Sequence, residues 1–370
     1  MKFRCDRSAL VEKLGVLARG VSTRSALPVL SGNLLQAGEG RLDLFATDME
    51  LSIKANLTTP VEREGEIVVP ARLFSDVVRN LPDEEVVVEA AEAAVKISAG
   101  RAAFSLNAWS AADFPQTSTF DTEGAFAVGR EPFVETLNKV GRAASRDETR
   151  PILTGVLMTI AGETLKMVAT DSYRLAVKET KLDQALETEV QAIVPVRALG
   201  EVARLASAMG TGDLQVVIGE NQALFKLSDP AGDVWVASRL IDGQFPNYKQ
   251  LLPETFDHEV TIDRGALMAT TRRVSLLAQK NAPIRMGFGE NRLTMKALTQ
   301  DVGQAEESLD LEFSGEPFEI GFNPAYLIEG IDAIDDESVL MRFTSPLRPG
   351  LISGAAGDFV YLIMPIRLSS

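Results

Sequence analysis

The sequence predicts an α+β fold of three repeated, strand-rich domains with two helices apiece. The first observation is a duplicated stretch. Leu165–Val177 reads LKMVATDSYRLAV, and Leu42–Ile53 reads LDLFATDMELSI. Their Ala-Thr-Asp triplets lie 123 residues apart, room for a whole domain. The second observation is that the flanks recur in the same order. Leu27-Pro28-Val29-Leu30 answers Arg150-Pro151-Ile152-Leu153, Gly65–Leu81 answers Val190–Ala206, and Ala111–Pro115 answers Asp242–Pro246. The third is a fainter copy: Val260–Lys280 parallels Phe126–Arg146 and Phe3–Thr23, and Phe318–Ile334 stands where GEIVVPARLF stood. The expected domains are 1–122, 123–252 and 253–370.

Each repeat opens with a short strand and then a helix with apolar residues at 3.6-residue spacing. In the first, Leu10, Leu14 and Leu17, joined by Val11, form the stripe over 8–20, with Asp6 and Ser8 as caps and Gly20 as the stop. The second helix of this type runs over Pro132–Arg142 through Phe133, Leu137 and Val140. The third runs over Arg264–Lys280 through Leu267, Val274 and Leu277. Alternating strands around Gly38–Gly40 follow, then a short helix at Ala71–Asn80 closed by Leu81-Pro82, then two more strands. The connections Ala111–Gly124 and Gly243–Pro253 have the Pro, Asp and Gly content of linkers.

With 45% apolar and 24% charged residues, 370 residues suffice for each repeat to bury a core. The lone Cys5 cannot close an intramolecular disulfide, which suits a reducing cytosol. The start, MKFRCDRSALVEKL, has no signal-peptide apolar region, and nowhere do about 18 apolar residues run together. The expectation is a soluble cytoplasmic protein without a membrane partner.

The net charge of −15 argues against a strong grip on nucleic acid, which calls for a basic face. Yet the six predicted helices together carry about +5, leaving about −20 elsewhere. Basic helices in an acidic chain suggest one face meant for a polyanion. An ordinary solvated face, with Lys and Arg favoured at helix ends, accounts for the same charges.

Catalytic signatures are missing. One Cys and one His, His258, cannot supply a zinc site, so no metal and no cofactor is expected. Neither a G-x-x-x-x-G-K-[ST] loop nor a G-x-S-x-G elbow occurs. Asp48 and Asp171 are the best carboxylates, but their equivalent repeat positions read as turn devices rather than acids. The enzyme-class rival is a carboxylate hydrolase on a repeat scaffold, which Asp171→Asn would abolish. A peptide-binding hub of the same fold is the other.

The repeat, ATDSYRLAV, QFPNYKQLLP (Gln244–Pro253), FNPAYL (Phe322–Leu327) and the closing YLIMPIRL (Tyr361–Leu368) together resemble the bacterial DNA polymerase III beta subunit family, the sliding clamps. The resemblance covers essentially the whole chain. It implies three clamp-type domains, helices packed on outer sheets, and a head-to-tail homodimer forming a six-domain ring around double-stranded DNA. It also implies a non-catalytic processivity factor with three classes of client: the polymerase III catalytic subunit, an ATP-driven clamp loader, and repair and translesion polymerases.

By resemblance, Arg24 and Arg197 match basic positions that the family points at DNA; Arg72 and Arg79 join them from helix placement alone. Clients of the family dock short peptides through a Gln and large apolar side chains. The matching positions are Leu153, Thr170, Arg174, Leu175, Pro246, Leu251, Asn323, Tyr326, Leu347, Met364, Pro365, Ile366, Arg367 and Leu368. Asn323 or backbone near Met364 is expected to hold the Gln amide. Plain core packing is the other reading of Leu153, Leu175 and Leu251. The chain departs from the family pattern at Tyr173, at Gln250 and at Ser369-Ser370, which extend past the usual Arg-Leu. The third domain's pocket aromatic is not assignable near Asn281–Ile284.

Overall fold

A computed structural model describes the chain except residues 23–25, 83–84, 116–119, 279–281, 300–301 and 369–370, and the side chain of Thr188. Among the described residues the helices are α1 (Arg7–Leu17), α2 (Ala71–Asn80), α3 (Arg130–Val140), α4 (Val196–Ala208), α5 (Arg264–Ser275) and α6 (Pro324–Asp332). Asp6 caps α1, its carboxylate accepting from the Ala9 amide at 2.9 Å. Helix α2 has the expected bounds. Helix α5 stops at Ser275 rather than continuing through the apolar Leu276, which is left 80% exposed.

The chain divides into two compact units, and the division runs through the middle repeat. Unit 1 holds Met1–Val134, Leu182–Leu186 and Arg197–Ile241; unit 2 holds the remainder. The cause lies in strand pairing. In unit 1, Val234–Arg239 of the second repeat pairs antiparallel with Leu51–Thr58 of the first, with Trp235 opposite Lys54. This joins four strands from each repeat into one eight-stranded sheet. In unit 2, Arg174–Lys178 pairs with Phe359–Ile363 of the third repeat, inside a six-stranded sheet.

A five-stranded sheet completes unit 1 and ends in the strand Ala102–Asn107. A four-stranded sheet completes unit 2, with Gly303–Asp310 at one edge and Phe318–Phe322 at the other. Both units are filled by apolar side chains, among them Phe3, Leu10, Phe74 and Phe225 in unit 1 and Phe288, Phe322, Phe343 and Tyr361 in unit 2. One buried polar group was not legible in the pattern. Lys13 sits inside the α1 stripe, 1% exposed, and donates from Nζ to the Gly232 carbonyl at 3.1 Å.

The repeat is visible in detail at its Ala-Thr-Asp turns. The Asp48 carboxylate oxygen Oδ1 accepts from the Glu50 and Leu51 amides at 3.1 and 2.8 Å. Asp171 Oδ1 accepts from the Tyr173 and Arg174 amides at 2.9 and 3.0 Å. The next residue, Met49 or Ser172, is forced to positive φ in both copies, 78° and 80°. The paired prolines also match: Pro28–Ser31 and Pro151–Thr154 are both short 3-10 turns with Pro in the first turn.

Candidate partner-binding cleft and basic helix faces

In unit 2, an open cleft of about 400 Å³ is lined by Gln250, Leu251, Pro253, Glu254, Thr255, Thr344, Leu347, Arg348, Pro349 and Met364. Three of the expected residues, Leu251, Leu347 and Met364, lie on its wall. Each is a large apolar side chain held in the open, 41%, 67% and 38% exposed. Short turns explain this: Leu251 ends the 3-10 turn Tyr248–Leu251, and Leu347 sits between Pro346 and Arg348-Pro349 just after a strand. Gln250, a departure from the family pattern, lines the same cleft. Pro253, Glu254, Thr255, Thr344, Arg348 and Pro349 were missed; the apolar residue inside TSPLRPG was the signal that would have found part of them.

The closing segment positions Met364. Its amide donates to the Tyr173 carbonyl at 2.8 Å, and the Ile366 amide donates to the Gly321 carbonyl at 2.8 Å. The tail therefore runs beside the edge strand Phe318–Phe322. Pro365, Ile366 and Leu368 are half-buried along it, whereas Arg367 is exposed. A Cβ on Gly321 would stand 2.5 Å from Leu368 Cδ2 and 3.0 Å from the Ile366 carbonyl oxygen, so this approach needs glycine.

A second group of expected residues gathers around Arg174, which is 9% exposed. Its guanidinium donates to Asp171 Oδ2 at 3.1 Å, to the Tyr361 hydroxyl at 3.3 Å and to the Glu329 carboxylate. Its Cζ lies 4.4 Å from the Tyr326 ring centre. Burial works to lower the Arg174 pKa, but the Tyr361 and Glu329 contacts outweigh it and hold the cation above its ordinary value. Burial raises the Tyr361 hydroxyl pKa in turn. Thr170 closes the turn, its hydroxyl donating to the Arg174 carbonyl at 2.6 Å. Leu175 and Leu153 are buried, at 1% and 8%. Pro246 is exposed. Asn323 is spent partly on the fold, since its Oδ1 caps α6 by accepting from the Ala325 amide at 2.9 Å and from that of Tyr326 at 3.4 Å.

In unit 1, the predicted basic residues differ in surroundings. Arg72 and Arg79 lie on the exposed side of α2, Arg72 at a loose 3.9 Å from Asp76. Arg197, 62% exposed, lies 2.7 Å from Asp48 Oδ2 and donates to the Arg19 carbonyl at 3.4 Å. It borders a cleft of about 470 Å³ shared with Ala18, Arg19, Val21, Leu51, Gly200, Glu201 and Arg204. Arg204 grips Glu201 there, Nε lying 3.0 Å from both carboxylate oxygens, and this hydrogen bonding raises the arginine's pKa. Arg24 lies outside the described residues.

Among the described residues no group of three or more His, Cys, Asp or Glu is placed to hold a metal ion. No described helix is long and apolar enough to cross a membrane. His258 is stacked on Phe318, ring centres 4.5 Å apart.

Three family models match in succession: the DNA polymerase III beta subunit N-terminal domain over residues 1–118, its central domain over 127–247 and its C-terminal domain over 249–367. The chain is 36% identical over 379 residues to the beta sliding clamp of Synechococcus elongatus, covering 100% of both. It superposes on the Bacillus subtilis DNA polymerase sliding clamp with a TM-score of 0.95 at 27% identity. A DnaN sliding clamp from Pseudomonas aeruginosa bound to griselimycin matches with a TM-score of 0.92 at 30% identity. Both structural matches cover 100% of each chain.

Proposed function

This chain belongs to the DNA polymerase III beta subunit family, the sliding clamps, and from that premise we propose that it acts as a non-catalytic ring tethering the replicative polymerase to its template. The three domains, at 1–122, 123–252 and 253–370, pair head to tail with a second copy, so that a six-domain ring encloses duplex DNA. Two sheet edges suit that contact. Ala102–Asn107 has no charge of its own and presents Phe104, 43% exposed, with Lys96 and Arg101 close by. Gly303–Asp310 presents Glu306 and Asp310, with Leu298 exposed on the adjacent strand. Apolar groups and opposite charges thus face each other across the joint, and joining edges removes their exposure.

The observation that carries the docking function is the convergence of Leu251, Leu347 and Met364 on one open cleft. An occupant burying two large apolar side chains there gains about 1.5–3 kcal/mol from each. Ordering costs offset part of this, which suits clients that take turns. The Asn323 amide NH2 and the Met364 carbonyl are our choice for a client Gln, since Asn323 Oδ1 and the Met364 amide are already engaged. The clients we assign are the polymerase III catalytic subunit, the clamp loader, and repair and translesion polymerases, all cytoplasmic and nucleoid-associated.

A ring that slides must not grip phosphate, because each neutralised phosphate adds salt-dependent affinity. Topology holds the DNA instead, and acidic surface farther than about 8 Å from it is screened at physiological salt. The test is to load the protein with its loader and ATP onto a nicked circular plasmid, isolate the complex and then linearise it. We expect release only after linearisation; retention on both forms would show phosphate gripping and end the ring reading.

A further inference from the structure

We propose that Asp48 is a positioning residue for DNA contact: its carboxylate is a fixed internal counterion that competes with phosphate for Arg197. The proposal rests on the reading above that Arg197 faces DNA. Its grounds are the way the carboxylate is held and the contrast with the equivalent turn in the next repeat.

Asp48 cannot swing aside. Its Oδ1 is committed to the Glu50 and Leu51 amides, and that commitment aims Oδ2 at Arg197, 2.7 Å away. The carboxylate is 13% exposed while the guanidinium is 62% exposed, so the cation meets solvent with its counterion anchored behind it. The Arg19 carbonyl at 3.4 Å holds the guanidinium from a second side. Asp171 uses the same two oxygens in the same way, but its arginine, Arg174, is 9% exposed and serves the fold. One turn chemistry therefore supports a buried arginine in one repeat and a presented one in the other. A neighbouring arginine in the cleft, Arg204, is likewise held by Glu201, itself 7% exposed.

A phosphate approaching Arg197 meets a guanidinium whose charge is already partly answered. The contact remains, but fewer counterions are released, so affinity and salt dependence both fall. This is a low-friction contact suited to a ring that moves along its duplex.

The experiment measures binding of the full-length protein to a short linear duplex across a salt series, for wild type, Asp48→Asn, Arg197→Gln and the double variant. Asparagine keeps the Oδ1 acceptor, so the turn is retained; Asp48→Ser, whose hydroxyl also caps such a turn, replaces it should the first variant fail to fold. We expect Asp48→Asn to tighten binding several-fold and to steepen the log K against log salt slope by part of the about 0.9 that one phosphate contributes. Arg197→Gln should make the slope shallower by the rest of that share, and the double variant should match Arg197→Gln alone. A slope unchanged in Asp48→Asn, with a shallower one in Arg197→Gln, overturns the counterion role and leaves the DNA-facing assignment standing. An unchanged slope in Arg197→Gln overturns that assignment and the proposal together.

Discussion

Arg174 is held in unit 2 by Asp171 three residues away and by Glu329 and Tyr361, 155 and 187 residues away. It joins the turn after the edge strand Gly155–Thr170 to α6 and to the strand Phe359–Ile363. Removing it strands the Asp171 carboxylate, 11% exposed, beside a buried tyrosine. Losing one partner of such a pair costs more than the pair itself is worth. Arg174→Met is expected to lower stability by about 3 kcal/mol, read from chemical denaturation. A loss of less than about 1 kcal/mol, the range of a surface pair, would mean that Arg174 is not the hub drawn here. Because α6 also carries Tyr326 and is capped by Asn323, the same change bears on the proposed partner site through the fold.

At the scale of elements, the tail Met364–Leu368 is an extended segment held by backbone bonds to Tyr173 and Gly321, and its seating depends on Gly321. A side chain at that position meets both Leu368 and the Ile366 carbonyl. Leu368 can shift, but the carbonyl is backbone and cannot yield without moving the tail. Gly321→Ala is therefore expected to displace Met364 from the cleft and to weaken binding of a client peptide by about tenfold, near 1.4 kcal/mol. Fluorescence titration with a Gln-containing peptide measures this. Unaltered affinity would show that the tail's path does not set the cleft. The Ala-Thr-Asp turns make a related point. Their strained residues, Met49 and Ser172, are tolerated because two amides are satisfied by one carboxylate oxygen in each copy.

For the whole molecule, the decisive balance is between closure and exposure. A single chain presents Phe104, Leu276 and Leu298 to solvent, 43%, 80% and 63% exposed, the first and last on strands and Leu276 at the end of α5. In the head-to-tail ring proposed above, a second copy would bury such groups twice over, once at each joint. Phe104→Glu removes the apolar contact and sets a carboxylate against the acidic Gly303–Asp310 edge. Each joint then loses about 1.5–3 kcal/mol from burial alone. Sedimentation equilibrium should show a shift toward monomer, and an unaltered dimer would place the contact elsewhere. The net charge of −15 fits the same scheme, since holding DNA by topology frees most of the surface from meeting phosphate.

The sequence by itself determined what depends on neighbours along the chain. The three-fold repeat, the helical stripe through Leu10, Leu14 and Leu17, the bounds of α2 and the Asp48 and Asp171 turns were legible because periodicity and turn chemistry are local. So was the lack of phosphate-loop, zinc and serine-elbow motifs. The tertiary structure alone decided what depends on distant segments. It placed Lys13 inside an apolar stripe under the Gly232 carbonyl, ended α5 at Ser275, and divided the middle repeat between two units by strand pairing. It also set Leu251, Leu347 and Met364 on an open cleft and buried Thr170, Arg174 and Leu175 in a turn and sheet, which Met364 joins through the Tyr173 carbonyl. Arg197 shows the difference most plainly. Sequence marks it as a cation on a helix, but only the packing of α4 beside a turn 149 residues earlier supplies the carboxylate that answers it.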